Sequence, residues 1–270
     1  MNDERRAVYT HGHHESVLRG HRQRTVANSA GYLSPHLRAG LSVLDIGCGP
    51  GTITVDLAAR VVPATVTAVE PTDAALNLAR AEAQRCDVSN VAFVTSDVHA
   101  LDFPDDVFDV VHAHQVLQHV ADPVQALREM KRVCAPGGLV AARDADYAGF
   151  IWYPQLPALD HWLQLYQRAA RANGGEPDAG RRLLSWARQA GFADITPTGS
   201  MWCYATDEMR AWWGGMWADR ILRSDLSAQL LGSGMASAAD LEAISQAWRD
   251  WAAAPDGWLG IPNGEILCRV

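Results

Sequence analysis

The chain is expected to fold as an α/β protein, a doubly wound, seven-stranded, mostly parallel sheet carrying a helical lid. Three observations predict this. An apolar run, Val43-Leu44-Asp45-Ile46, leads straight into a glycine-dense turn, Gly47-Cys48-Gly49-Pro50-Gly51. Strand-like and helix-like segments then alternate as far as Ala145, the rhythm of a sheet with helices on both faces. After Asp146 that rhythm gives way to long amphipathic segments rich in tryptophan.

Taken in order, residues 1–40 are polar, rich in His and Arg, and read as an N-terminal helical arm leading to Pro35 and Gly40. Residues 41–145 form the ligand-binding core. Its strand candidates are Ser42-Ile46, Thr65-Val69, Val91-Thr95, Phe108-Ala113 and Leu139-Arg143, with helices starting near Thr52, Asp73, Pro104 and Pro123. Residues 146–270 supply two more strands, Ile195 to Tyr204 and Glu265 to Val270, together with a helical substrate lid over 147–190 and 206–256. In the lid, Gln155 to Ala172 places Leu159, Trp162, Leu163 and Tyr166 on one helical face. Gly174-Gly175-Glu176-Pro177 interrupts it, and helices are expected again at Arg181 to Ala190, Asp207 to Leu231 and Ala238 to Ala253.

At 270 residues and 48% hydrophobic content, the chain fits one large domain with a real core. Its net charge of −8 argues against nucleic acid, whose partners present a basic face. No apolar run is long enough to span a bilayer, and the first residues lack an apolar signal core, so no membrane partner and a cytoplasmic location are expected. Cys48, Cys86, Cys134, Cys203 and Cys268 are scattered without a C-x-x-C pair, as reduced thiols would be. His11, His13 and His14 are followed by Glu15 but have no cysteine beside them, and no metal is expected.

The glycine turn is the strongest functional signal. It follows a buried strand and precedes a helix, Thr52 to Arg60, whose N-terminus points at the same place. It is not the dinucleotide fingerprint, because the sixth position from Gly47 is Thr52 and the third glycine, Gly51, comes one residue early. Gly-x-Gly-x-Gly after Asp45 resembles motif I of the class I S-adenosylmethionine (SAM)-dependent methyltransferases. Glu70-Pro71 at the next strand end, Ser96-Asp97-Val98 after the third, Phe103-Pro104-Asp105-Asp106 before the fourth, and Cys134-Ala135-Pro136-Gly137-Gly138-Leu139 before the fifth follow in the same order. The likeness covers residues 41–145 and resembles the ubiquinone/menaquinone-biosynthesis-like branch.

That resemblance implies a Rossmann-like core, SAM as cofactor and S-adenosyl-L-homocysteine (SAH) as product. It implies that Asp45, Gly47, Gly49 and Gly51 cradle the cofactor, that Glu70 and Pro71 meet its ribose, and that Asp97 and Val98 meet its adenine. His114 and Gln115 would face the methionine part, and Arg24 in the arm would pair with the methionine carboxylate, a task suited to a guanidinium fork. The arm pattern from Tyr9 to Leu37 resembles a microbial secondary-metabolism subgroup, some members of which methylate thiols of dithiol metabolites.

Methyl transfer from a sulfonium is an in-line displacement that needs alignment more than acid–base help. A thiol ionises near neutral pH and needs no base, whereas oxygen or carbon nucleophiles more often do. His11, His14, His114, His119, Asp144, Asp146 and Tyr147 are candidates for proton transfer, with His114, Asp144 and Tyr147 foremost. All ten tryptophans lie after residue 150, and walls of Trp and Met suit a small, flat substrate. The substrate contacts expected are His11, His14, Trp152, Trp212, Trp213 and Trp217. A small-molecule methyltransferase acting on a thiol is the leading expectation. O-, N- or C-methylation of a polyketide, amine or quinone-like ring is an alternative, as is a SAM-binding protein with a non-methylating activity. Nothing in the sequence specifies an oligomer.

Overall fold

In the computed structural model, which describes residues 23–270, the strand before the glycine turn is β1 (Val43–Ile46), buried along its whole length. It is flanked in parallel by β2 (Val66–Glu70) and β4 (Phe108–His114). β3 (Val91–Thr95) adds beyond β2, and β5 (Cys134–Ala145) beyond β4, both again parallel. β8 (Trp258–Arg269) then runs antiparallel between β5 and β7 (Asp194–Tyr204), and short β6 (Ile151–Tyr153) pairs with the first residues of β8. Among the described residues the sheet therefore has eight strands where seven were expected, β6 being the addition. The order in which strands are added reverses between β1 and β4, which opens a crevice beyond the carboxyl ends of those strands.

Helices α1 (Val26–Ser29), α2 (Thr52–Val61), α3 (Asp73–Arg85) and α4 (Pro123–Val133) accompany the parallel strands. Thr72 caps α3 and Asp122 caps α4 by accepting from backbone N–H groups one turn on. α5 (Pro157–Ala172), α7 (Asp207–Arg223), α8 (Asp225–Gly232) and α9 (Ala238–Ala253) form a second layer with its own core. There Trp162 meets Trp217 and Trp248 edge to face at 4.6 and 4.9 Å, an arrangement the ring quadrupoles favour. Among the described residues no helix is long and apolar enough to cross a membrane.

Several expectations are corrected. No helix starts near Pro104: Arg132 from α4 instead pins that loop, donating to the carbonyls of Leu101 and Phe103 at 2.8 Å and to Asp105 at 2.7 Å. The Pro136-Gly138 turn is a bulged entry into β5, since Phe108 pairs with Cys134 but Val110 with Leu139. Asp207 to Leu231 is two helices, broken at Ser224, where the backbone is extended. α6 (Leu183–Gln189) belongs to the sheet rather than the lid, because Leu183 and Ala187 pack with Leu127, Met130 and Phe192. The last strand begins at Trp258, earlier than expected, because its first residues pair with β6. Of the arm, residues 1–22 lie outside the described residues; the remainder holds α1 and a short 3-10 turn at Ser34–His36.

Candidate active site

A cavity of about 1630 Å³ occupies the crevice beyond β1, β2 and β4 and continues under the helical layer. One end is lined by Gly47, Gly49, Glu70 and Asp97, the other by Arg143, Trp202, Tyr204 and Trp213. Pockets for one small ligand run to about 1,000 Å³, so this one has room for two side by side.

The glycine turn builds the first end. Gly47, Gly49 and Gly51 hold φ of +64°, +55° and +83°, a region that side chains resist. A Cβ on Gly51 would sit 2.8 Å from the Ala79 Cα, so only glycine lets α2 approach α3 this closely. A Cβ on Gly49 would meet nothing within 4 Å, which leaves its bare backbone as the cavity floor. Asp45 lies beneath, 2% exposed, with both oxygens engaged: one accepts from the Thr54 hydroxyl at 2.6 Å, the other partners the His112 Nδ1 at 2.8 Å. It braces the turn to α2 and β4 from below.

Glu70 projects from the tip of β2, and its Oε1 accepts the Gly49 N–H at 2.6 Å. Burial pushes its carboxyl up to about 7; that hydrogen bond opposes the shift and nearby Asp45 adds to it. Pro71 continues the wall. At the tip of β3, Asp97 accepts from the His99 backbone at 2.9 Å and contacts its ring at 2.8 Å, with Val98 buried alongside. These residues could hold a polar, nucleoside-sized ligand along the strand tips.

His114 ends β4 and lines the cavity, its ring edge to face with Trp202 at 5.7 Å. Gln115 follows at φ +58°, and its side chain turns into an amide network. Its Nε2 donates to Asn263 Oδ1 at 2.8 Å, and its Oε1 accepts from Gln118 at 2.7 Å. Tyr147 lines the cavity, stacked on Phe150 at 4.5 Å and on Tyr166 at 4.1 Å, and burial raises its hydroxyl. Asp144 is corrected as a catalytic candidate. It is fully buried behind the wall, accepts the Gln118 N–H at 3.1 Å, and pins the turn after β4. Trp152 is likewise corrected: it packs in the lid core, off the cavity, whereas Trp212, Trp213 and Trp217 line it. His11 and His14 lie outside the described residues.

The structure adds residues that the sequence did not single out. Trp202 donates from its indole N–H to the Asn28 carbonyl at 2.8 Å, tying β7 to α1. The Arg143 guanidinium lies 4.3 Å from its ring centre and that of Arg24 5.5 Å away, both within cation–π reach. Arg220 stands 4.6 Å over Trp217. Tyr204 stacks on Trp213 at 4.4 Å, its hydroxyl raised to about 12 by burial. His119, already a proton-transfer candidate in the sequence, also lines the cavity, and burial, with help from Arg24, drives it down to about 3. The available signal was the alternation Ser200, Trp202, Tyr204, which puts three polar or aromatic side chains on one face of a strand.

Comparison with known proteins places this geometry. A family model described as a methyltransferase domain matches residues 37–190. An uncharacterized methyltransferase of Schizosaccharomyces pombe is 34% identical over 97% of this chain and 96% of its own length. A demethylmenaquinone methyltransferase of Listeria welshimeri is 31% identical over 48% of this chain and 52% of its own. Among solved structures, a Haemonchus contortus phosphoethanolamine N-methyltransferase with bound SAH matches in fold. Its TM-score is 0.58 at 17% identity, over 90% of this chain and 53% of that one.

Proposed function

The chain belongs to the class I SAM-dependent methyltransferases, and on that premise we propose that it methylates a small, flat metabolite at a thiol sulfur. The residues at the strand tips fit the cofactor: the open backbone at Gly49 is a floor that a side chain would fill, and Glu70 is fixed beside it. Glu70 would receive the ribose hydroxyls, Asp97 and Val98 the adenine, and Arg24 the methionine carboxylate. When bound, SAM supplies an activated methyl group on a positively charged sulfur.

The observation that carries the thiol reading is the character of the acceptor end. Arg143 and Arg220 line it, and cations beside a thiol favour its thiolate. Around them, His119 at about 3 and Tyr204 at about 12 are fixed in forms that take up no proton near neutrality. Such a pocket suits a nucleophile that ionises by itself. The thiol proton leaves to solvent, with His114 the imidazole on the wall able to relay it. SAM held at the strand tips would supply its methyl group to that sulfur and leave as SAH. Tyr147, Trp212, Trp213 and Trp217 orient the acceptor and exclude water. We place the reaction in the cytoplasm, within secondary metabolism, a reducing setting that suits five free cysteines.

Transfer of labelled methyl from SAM to matched aryl thiols, phenols and anilines tests this. The expected product is a labelled thioether, formed at least tenfold faster than any ether or amine. Label on oxygen, nitrogen or carbon in preference to sulfur would overturn the thiol reading and leave the methyltransferase in place.

A further inference from the structure

Arg143 is an expensive residue to bury in a sheet. It is 1% exposed at the end of β5, facing Glu265 across the antiparallel pairing with β8. Its Nε donates to Glu265 Oε1 and to the Ser200 hydroxyl, each at 3.2 Å, and its ring-facing side covers Trp202. Glu265 is further held by the hydroxyls of Thr198 and Ser200. Burial lowers the guanidinium to about 10, so it remains charged at neutral pH. Its Nη1, however, has no hydrogen-bond partner among the described residues. A buried guanidinium N–H left unbonded is costly, and protein structures rarely tolerate it without a ligand or water to receive it.

The surroundings narrow what that ligand is. Arg143 lines the cavity from β5 beside Trp202, whereas Gly49, Glu70 and Asp97, which face the proposed cofactor, line it after β1, β2 and β3. The Trp213 indole N–H, on the same cavity, also lacks an acceptor among the described residues. Both groups are donors, and the stacked Tyr204–Trp213 pair offers a flat apolar wall beside them. We propose that Arg143 anchors the acceptor substrate through an anionic oxygen group, making the substrate class a conjugated acid, with the Trp213 indole N–H as second donor. The guanidinium fork matches a carboxylate's two oxygens, and the aromatic wall takes the ring. This inference rests on the acceptor pocket proposed above, but not on sulfur being the nucleophile.

The test uses probes without a thiol. Binding of 2-naphthoate and of neutral 2-naphthamide to the SAH-loaded protein is followed by tryptophan fluorescence and calorimetry. The wild type is expected to prefer the acid by about tenfold or more, the worth of one charged hydrogen bond. In the Arg143→Gln/Glu265→Gln double variant, which leaves no buried carboxylate stranded, the preference should vanish while SAH affinity stays within twofold. Arg143→Lys keeps the charge without the fork, and is expected to retain only part of the preference; with the wild-type comparison it keeps the test valid if the double variant does not fold. No acid preference in the wild type, or no binding of either probe, would overturn the proposal. So would a preference that survives in the double variant, or a loss of SAH affinity there, which would assign Arg143 to the cofactor. Labelled-methyl transfer to thiols is read separately, so either proposal can fail while the other stands.

Discussion

Glu70 combines two demands that pull against each other. Burial beside Asp45 raises its carboxyl to about 7, yet the two ribose hydroxyls it is proposed to receive are best met by the ionised form. The acid form dominates below about pH 7, so SAH affinity should rise with pH through that value and level off above it. At the limit it falls about tenfold per pH unit on the acid side. Glu70→Gln should bind more weakly and show no such slope in calorimetry; a parallel slope in the variant would assign the titration elsewhere. Asp144 makes a different prediction because it is off the cavity. Its value in the folded protein, about 7, lies above the ordinary 3.8. Its contribution to stability is therefore fully present below about pH 4 and lost as pH rises to about 7, at about 1.4 kcal/mol per unit at the limit. Asp144→Asn should gain melting temperature relative to wild type across that window, and an unchanged difference would show that Asp144 does not titrate there. At this scale the sequence was legible where backbone and chemistry coincide, as at Gly49 and Glu70. It was silent on Arg143, whose meaning depends on Glu265 and Trp202 arriving from strands far away in the chain.

Among elements, the β1–turn–α2 unit was legible from local sequence, because a buried strand, positive-φ glycines and a helix start are all short-range demands. Gly51 shows the tertiary reason as well. A methyl there would strike Ala79 of α3 and sit on an already left-handed backbone that alanine resists, so Gly51→Ala should cost about 1–3 kcal/mol in denaturant unfolding. An unaffected midpoint would mean that α2 and α3 have slack. The misread elements share a cause. Pro104 resembled a helix start, but the loop's carbonyls are satisfied by Arg132, a side chain from the next helix. The break at Ser224 is likewise not visible in apolar periodicity, since the Ser224 hydroxyl donates to the Arg220 carbonyl and ends the helix locally. Strand β6 is three residues long, too short for any periodic signal, and exists because β8 extends past β5 to meet it.

Among the described residues, a core on one face of the sheet and a core in the helical layer flank one cavity. The sheet core surrounds Leu44, Val111 and Leu127, and the helical layer has its own around Trp162, Trp217 and Trp248. On the proposed roles, cofactor residues lie on strand tips and acceptor residues mostly on β7 and α7, so the two functions should separate on mutation. Trp213→Ala should raise KM for the acceptor severalfold while SAH affinity stays within about twofold, since Trp213 packs on Tyr204 and not on the glycine turn. Trp152, Trp162, Trp248 and Trp251 are buried off the cavity and serve packing, and sequence alone could not sort these from the cavity wall. The central claim is that the glycine turn and Glu70 hold the cofactor. Calorimetric titration of SAH into wild type and Glu70→Ala addresses it directly. The account predicts one site in the wild type and a loss of about 1–3 kcal/mol in the variant; equal affinity in the two proteins would contradict it.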